Sequence, residues 1–388
     1  MAQHSSSQYK EFPRLGGIVS AVIVAIALVV IFTTYAASSA PSIEAEDATG
    51  SPQLTQLTDP LASQSKAIQF GAAATTPPPT TPPTTSGKLF LGVAIEPQQV
   101  DDANITAMLK QYKVTSLTAE NAMKFMAIEP TQGQFNWADS DKIVNYAVAN
   151  GMRVRGHNFV WYIEAPQWIN SLTNDEVAAA LKNHITQMMT RYKGKVQQWD
   201  VVNEAFNDDG TLRDIPWRQK LGDDYVAKAF QWAHEADPTA ELYYNDYGVE
   251  SSDTANGIVT AKADAVYNMV KDFKARGIPI DGVGLQTHSS GLYPGTGVAI
   301  EANIKRLATL GVKTEITELD VRNNTDPVAR YAEVGKACKD SGTCTGVTTW
   351  GVYDGEYYPS DGSNPLIFDT NFQPKPAYTS LTQAMGLN

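Results

Sequence analysis

Two carboxylates sit where apolar strands ought to end. The stretch "WDVVNEAF" (199–206) closes on Asn203 and Glu204, and "ITELD" (316–320) carries Glu318 with Asp320 two positions on. A carboxylate is costly to take out of water unless it is paired or put to use. Glu204 is therefore a structural acid, a metal ligand or a catalytic one. As a pair, the two glutamates suggest glycoside hydrolysis. One carboxylic acid protonates the leaving oxygen while the other, ionised, attacks the anomeric carbon. A separation of about 5–5.5 Å makes such a reaction retaining, and about 6.5–9.5 Å makes it inverting. Trp161 and Trp350 fit this chemistry, because sugar rings stack on aromatic faces. The rival is a metal site of Glu204, His288 and Glu318, which lacks any paired-histidine spacing such as HExxH.

Parity adds neighbours. Side chains alternate along a strand, so Glu318 and Asp320 share a face, as do Gln286 and His288 in "GLQTH" (284–288). With both faces turned inward, His288 lies between two carboxylates. Asp320 then fixes the ring, and the ring holds Glu318 ionised and oriented. Arg155 stands two residues before His157, and Asp200 four before Glu204. Both should point inward one or two layers deeper, which predicts a buried Arg155–Asp200 ion pair with a structural role.

The elements that must position these residues recur from Lys88 onward. Strand-like runs cover 89–95, 116–121, 153–161, 197–205, 241–248, 282–288, 313–321 and 346–354. Amphipathic segments such as "DSDKIVNYAVANG" and "NDEVAAALKNHITQMMTRYKG" lie between most of them, ending in glycine as a helix C-cap would. Eight alternating units are the signature of an α/β (β/α)8 TIM barrel. A doubly wound open sheet would usually show a Gly-rich phosphate loop after its first strand, and "GVAIEP" is not one. In a barrel, chemistry collects at the C-terminal strand ends. The second run ends in Glu120 and Asn121, with Lys124 beyond, and the third in His157, Asn158 and Trp161. The fourth ends in Asn203 and Glu204, the fifth in Asn245 and Tyr247, and the sixth in Gln286 and His288. The seventh ends in Glu318 and Asp320, and the eighth in Trp350.

Five motifs, "TAENAMKF", "VRGHNFVW", "WDVVNEA", "GLQTH" and "ITELD", together resemble glycoside hydrolase family 10, the endo-β-1,4-xylanases. The resemblance runs from about Lys88 to the end and includes "FQPKPAY" (372–378). It implies a TIM barrel, hydrolysis of internal β-1,4-xylosidic bonds of xylan by retaining double displacement, no cofactor or metal, and a monomer. It also implies that Glu204 is the acid/base, Glu318 the nucleophile, and His288 with Asp320 the pair that orients it. Asn203 would bond the 2-hydroxyl of the sugar being cleaved. Glu120, Asn121, Lys124, His157, Trp161, Gln286 and Trp350 would grip the sugars on the non-reducing side, and Tyr247 would line the leaving-group side. Cys338 and Cys344 match a disulfide common in fungal members. The chain also departs from the family. Where members usually read "VWHSQLPSW" it reads "VWYIEAPQW", so Tyr162 replaces a histidine and Glu164 a glutamine, and Tyr358 stands for a second subsite tryptophan. An extra carboxylate beside a neutral sugar costs desolvation unless it gains a donor. Two alternatives therefore stay open. One is a retaining β-glycosidase or transglycosylase of the same family acting on another β-linked glycan or glycoside. The other is a non-hydrolytic surface glycan-binding protein.

The front of the chain has a different character. Residues 1–17 are polar, with Lys10 and Arg14, and residues 18–37 carry no charge, a run long enough to span a bilayer. Glu44, Glu46 and Asp47 follow, which puts the N-terminus in the cytosol and the rest outside. The expectation is an uncleaved transmembrane signal anchor, with a cleaved signal sequence as the alternative because small residues follow in "ASSAPS". Either way the location is extracellular. Residues 38–87 end in "TTPPPTTPPTTSG", which favours extended conformations and cannot pack a core. They are expected to be a disordered, O-glycosylated stalk for the catalytic barrel, 88–388. A net charge of −12 over 388 residues argues against nucleic acid and suits a neutral polymer as ligand. The two cysteines in "ACKDSGTC" fit metal or redox chemistry or, in a secreted chain, a short disulfide tying a helix end to the next strand. Asn104-Ile-Thr and Asn323-Asn-Thr are candidate N-glycosylation sites.

Overall fold

A computed structural model describes residues 87–253, 258–289, 296–322, 326–356 and 363–387, together with 54–57 and 67–70. Eight strands follow in chain order. They are β1 (Phe90–Ile95), β2 (Ser116–Ala119), β3 (Arg153–Val160), β4 (Gln198–Asn203), β5 (Glu241–Asp246), β6 (Gly282–Leu285), β7 (Lys313–Val321) and β8 (Cys344–Thr349). Each pairs in parallel with the next, and β8 returns to β1, so the sheet closes into a barrel. A helix follows each strand: α1 (Ala103–Gln111), α2 (Ala138–Ala149), α3 (Asn174–Arg191), α4 (Tyr225–Ala236), α5 (Ala261–Arg276), α6 (Gly297–Ala308), α7 (Pro327–Ser341) and α8 (Pro376–Met385). Strands such as "FLGVAI" are buried along their whole length, as parallel strands packed on both faces must be.

Local signals delimit the helices. Thr173 caps α3 in a reciprocal capping box with Glu176, and Arg191 stands in its last turn, where it complements the helix dipole. At the end of α2, Gly151 takes φ 65°. That turn lets Met152 N–H reach Ala147 C=O at 2.9 Å and Gly151 N–H reach Val148 C=O at 3.2 Å, which closes the helix before β3. Cys338 and Cys344 form a disulfide with Cα atoms 5.0 Å apart, joining α7 to the first residue of β8. Both thiols are thereby removed from metal binding.

Within the segment read as a disordered stalk, Leu54–Leu57 and Ala67–Phe70 form an antiparallel strand pair with Leu54 opposite Phe70. The run 18–37, the stretch 75–86, Asn323 and Tyr358 lie outside the described residues. Among the described residues no helix is long and apolar enough to cross a membrane. Asn104 is exposed in the first turn of α1.

Candidate active site

Asn203 and Glu204 are adjacent, so a regular strand would send them to opposite faces. Both nonetheless reach the same site. The β4–β5 pairing shifts register between Asp200 and Val202, and Glu204 leaves the strand at φ 56°. That is the left-handed region, which a β-carbon disfavours. Three hydrogen bonds hold this turn. Glu204 N–H donates to Asn245 C=O at 2.9 Å, Arg213 Nε donates to Glu204 C=O at 3.0 Å, and Ala205 N–H donates to the Tyr244 hydroxyl at 2.9 Å. The Glu204 side chain is buried, and its Oε1 accepts from Gln286 Nε2 at 2.8 Å and Asn203 Nδ2 at 3.2 Å. Neutral amides thus cap one oxygen, and among the described residues no hydrogen bond or ion pair reaches Oε2.

Glu318 has different company. Its Oε1 accepts from Asn245 Nδ2 at 2.7 Å, and the same nitrogen donates to Asn203 Oδ1 at 2.8 Å. Asn245 faces Asn203 in register, so one amide links the two glutamate environments. Glu318 Oε2 lies 3.0 Å from His288 Nε2, whose Nδ1 lies 2.9 Å from Asp320 Oδ2. A neutral imidazole has a single N–H and cannot serve two carboxylates. Burial alone would lower the His288 pKa, but Asp320 and Glu318 outweigh it and push the ring up to about 10. Burial likewise works to raise Glu318. Its bond from His288 and the nearby His157, His288 and Arg155 win, and hold the carboxyl at about 2. Both ring nitrogens of His288 are thus taken up by the two carboxylates, Asp320 behind and Glu318 in front.

The deeper layer contains the expected pair. Arg155 Nη2 lies 2.7 Å from Asp200 Oδ1 and 2.6 Å from Oδ2, with both side chains buried. Asp200 Oδ2 also lies 2.8 Å from His157 Nδ1, because His157 faces Asp200 across the β3–β4 register. Glu315, not anticipated from the sequence, lies 3.9 Å from Arg155 Nη1. Gly284 makes room for this layer. A β-carbon there would sit 2.3 Å from Asn245 Oδ1 and 3.1 Å from Arg155 Nη2.

The residues expected to grip sugar surround this centre. Glu120 and Asn121 follow β2, and Lys124 Nζ donates to Asn121 Oδ1 at 2.6 Å while lying 4.7 Å from the Trp161 ring centre. Glu164 is 4.0 Å from the same ammonium, so the extra carboxylate has gained a cationic neighbour. The Trp350 ring stands roughly perpendicular to those of His157 and His288, at centroid distances of 5.2 Å and 6.3 Å. Tyr247 accepts from Arg213 Nη2 at 2.7 Å, and the Arg213 guanidinium also lies 4.3 Å from the Tyr162 ring centre. Sequence reasoning placed Asn245 at a strand end without a role and missed Arg213, which sits in the loop beyond β4 with no periodic signal. The hydrogen-bonded Tyr244–Asp246 pair behind Glu204 was also missed.

Two buried carboxylates treated so differently at one mouth of a barrel define a glycoside hydrolase. Residues 84–384 match Glycosyl hydrolase family 10, and the chain belongs to that family. It is 40% identical over 297 residues to Endo-1,4-beta-xylanase 3 of Hypocrea jecorina, an alignment covering 76% of this chain and 82% of that one. Among solved structures it is similar to xylanase 10B of Thermotoga petrophila in complex with xylobiose, with TM-score 0.71 and 33% identity over 78% of this chain and 95% of that one. The intracellular xylanase of Thermoanaerobacterium saccharolyticum in complex with xylotetraose gives TM-score 0.68 and 35% identity, over 76% and 95%.

Proposed function

We propose that the chain is a retaining endo-β-1,4-xylanase in which Glu318 is the nucleophile and Glu204 the acid/base. One observation carries the assignment. Glu318 is held ionised by a cationic His288, whereas Glu204 is capped on Oε1 by neutral amides and, among the described residues, has no bond on Oε2, the oxygen left to face the glycosidic bond. Glu318 attacks the anomeric carbon as Glu204 protonates the glycosidic oxygen, the bond to the leaving sugar breaks, and a glycosyl ester forms on Glu318. Glu204, now a carboxylate, takes a proton from water as that water attacks the same carbon and expels Glu318. Asn203 bonds the 2-hydroxyl. Glu120, Asn121, Lys124, His157, Trp161, Gln286 and Trp350 hold the glycone sugars, and Tyr247 lines the leaving-group side. Xylan as substrate is supported by the activities of the relatives. Tyr162 on Arg213 and Glu164 beside Lys124 favour a second reading, in which the same double displacement acts on another β-linked glycan or glycoside.

The test is proton NMR of the first products on a panel of xylan, mixed-linkage glucan, cello-oligosaccharide and saponin. Xylan should be turned over fastest, with the β-anomer appearing first. An α-anomer first overturns retention, a faster non-xylan substrate favours the second reading, and binding without turnover on every glycan favours a surface glycan-binding protein. We also propose an extracellular monomer carried on 18–37 as an uncleaved anchor, or released after cleavage, with 38–87 as its stalk and Asn104 and Asn323 glycosylated. The flanking charges and the disulfide support this reading. Mass spectrometry of the native N-terminus and of the glycopeptides tests it, and a mature chain beginning past residue 37 removes the anchor.

A further inference from the structure

Glu204 can deliver a proton only if its carboxyl points at the glycosidic oxygen, and that direction is set by a backbone at φ 56°. The peptide that follows this turn is held from the barrel wall. Ala205 N–H donates to the Tyr244 hydroxyl at 2.9 Å, and that hydroxyl donates to Asp246 Oδ2 at 2.5 Å. Asp246 Oδ1 in turn accepts from Tyr247 N–H at 2.9 Å and lies 2.8 Å from Lys262 Nζ. Tyr244, Asp246 and Lys262 are each at most 1% exposed. None of them touches the carboxyl of Glu204 or Glu318, so the reaction as written does not use them.

Burying a phenol, a carboxylate and an ammonium together is expensive, and apolar side chains of similar size would be cheaper. The arrangement has a directional consequence. A phenol has one proton, and Asp246 takes it, so the lone pairs of Tyr244 are left to receive Ala205 N–H. Burial pushes the Asp246 carboxyl up to about 7, and Lys262 with the Tyr244 hydroxyl pulls it back toward the carboxylate, the form that only accepts. We propose that Tyr244, oriented by Asp246 and Lys262, is a positioning residue that holds the left-handed turn at Glu204 and thereby aims its carboxyl at the leaving oxygen. The proposal rests on Glu204 being the acid/base.

Acid catalysis matters in proportion to how poor the leaving group is, and this separates positioning from mere support of the fold. kcat/KM of Tyr244→Phe is measured on xylobiosides carrying 2,4-dinitrophenol, which departs unprotonated, and phenol, which does not. The expected result is a loss on the order of tenfold or more on the phenyl substrate, with the dinitrophenyl substrate nearly unaffected. Equal losses on both substrates, or none on either, overturn the proposal. If Tyr244→Phe does not fold, Asp246→Asn is read by the same ratio, which decides the case in the same way. Glu204→Ala is run alongside and should show the same selectivity more strongly. If Glu204→Ala loses both substrates equally, the acid/base assignment itself fails, and that result is distinct from failure of the positioning role.

Discussion

Glu204 and Glu318 are the same residue type at the ends of two strands of one barrel, linked through the side-chain amides of Asn203 and Asn245, yet their surroundings are opposites. Glu318 sits among charges: His288 bonds it, Asp320 holds His288, and Arg155 with Asp200 lies beneath. Glu204 sits among amides, with Asn203 and Gln286 on one oxygen and a strained turn supporting its backbone. The charges around Glu318 fix its ionisation state, whereas the neutral donors on one oxygen of Glu204 fix the direction of its carboxyl. In the proposed mechanism the barrel makes a nucleophile and an acid from one side chain by changing what stands beside it.

Removing each glutamate breaks this comparison most sharply. Glu318→Ala should lower kcat by about 10⁴-fold or more on every substrate, because no glycosyl ester can form. Glu204→Ala should lower it by about 10²–10⁴-fold on xylan and far less on a dinitrophenyl glycoside. Azide distinguishes the two. It enters from the face that the missing carboxylate vacates, so product NMR should find the α-glycosyl azide with Glu318→Ala and the β-glycosyl azide with Glu204→Ala. The same anomer from both variants would mean the roles are misassigned.

The charged corner was the more legible of the two in sequence. The Glu318, Asp320 and His288 contacts follow from two-residue alternation because His288 and Asp320 stand opposite each other in regular register. Arg155 and Asp200 met for a similar reason. The amide corner was hidden. Asn203 and Glu204 share a site only through a register shift and a left-handed residue, neither of which alternation reveals. The link through Asn245 depends on which residues face each other across β4 and β5, a property of the closed sheet. Glu315 escaped for a related reason. It lies three residues before Glu318, so parity separates them, but β7 is irregular in its pairing with β8 between Ile316 and Leu319. Arg213 arrives from a loop, where no period exists to read.

The two corners should also differ in what they contribute to stability. Asp200→Asn leaves the buried Arg155 guanidinium without its contacting counter-charge, with Glu315 at 3.9 Å and the shared Glu318 in its place. Breaking a buried pair from one side costs about 3–5 kcal/mol. Gln286→Ala removes neutral hydrogen bonds and should cost about 1–2 kcal/mol. Denaturant midpoints of the two variants check this. Equal losses would show that the charged layer is no more tightly committed than the amides.

The smallest expected effect is a displacement along the pH axis. Glu318 is held at about 2, below its ordinary 4.5, so its contribution to stability is present above 4.5 and is lost as pH falls through about 2. His288 is raised from 6.5 to about 10, so its contribution is present below 6.5 and is lost as pH rises through about 10. Between these limits the imidazolium and the carboxylate coexist. His288→Asn removes the cation while Arg155 remains, so Glu318 should move up toward 4.5 without losing its place. The acid limb of kcat/KM, read on a dinitrophenyl xylobioside so that Glu204 does not contribute, should therefore shift to higher pH. The loss of thermal stability between pH 6.5 and 10 expected of the parent should be absent from the variant. An acid limb that stays where it was would show that His288 only orients Glu318, and that Arg155 and His157 alone set its charge.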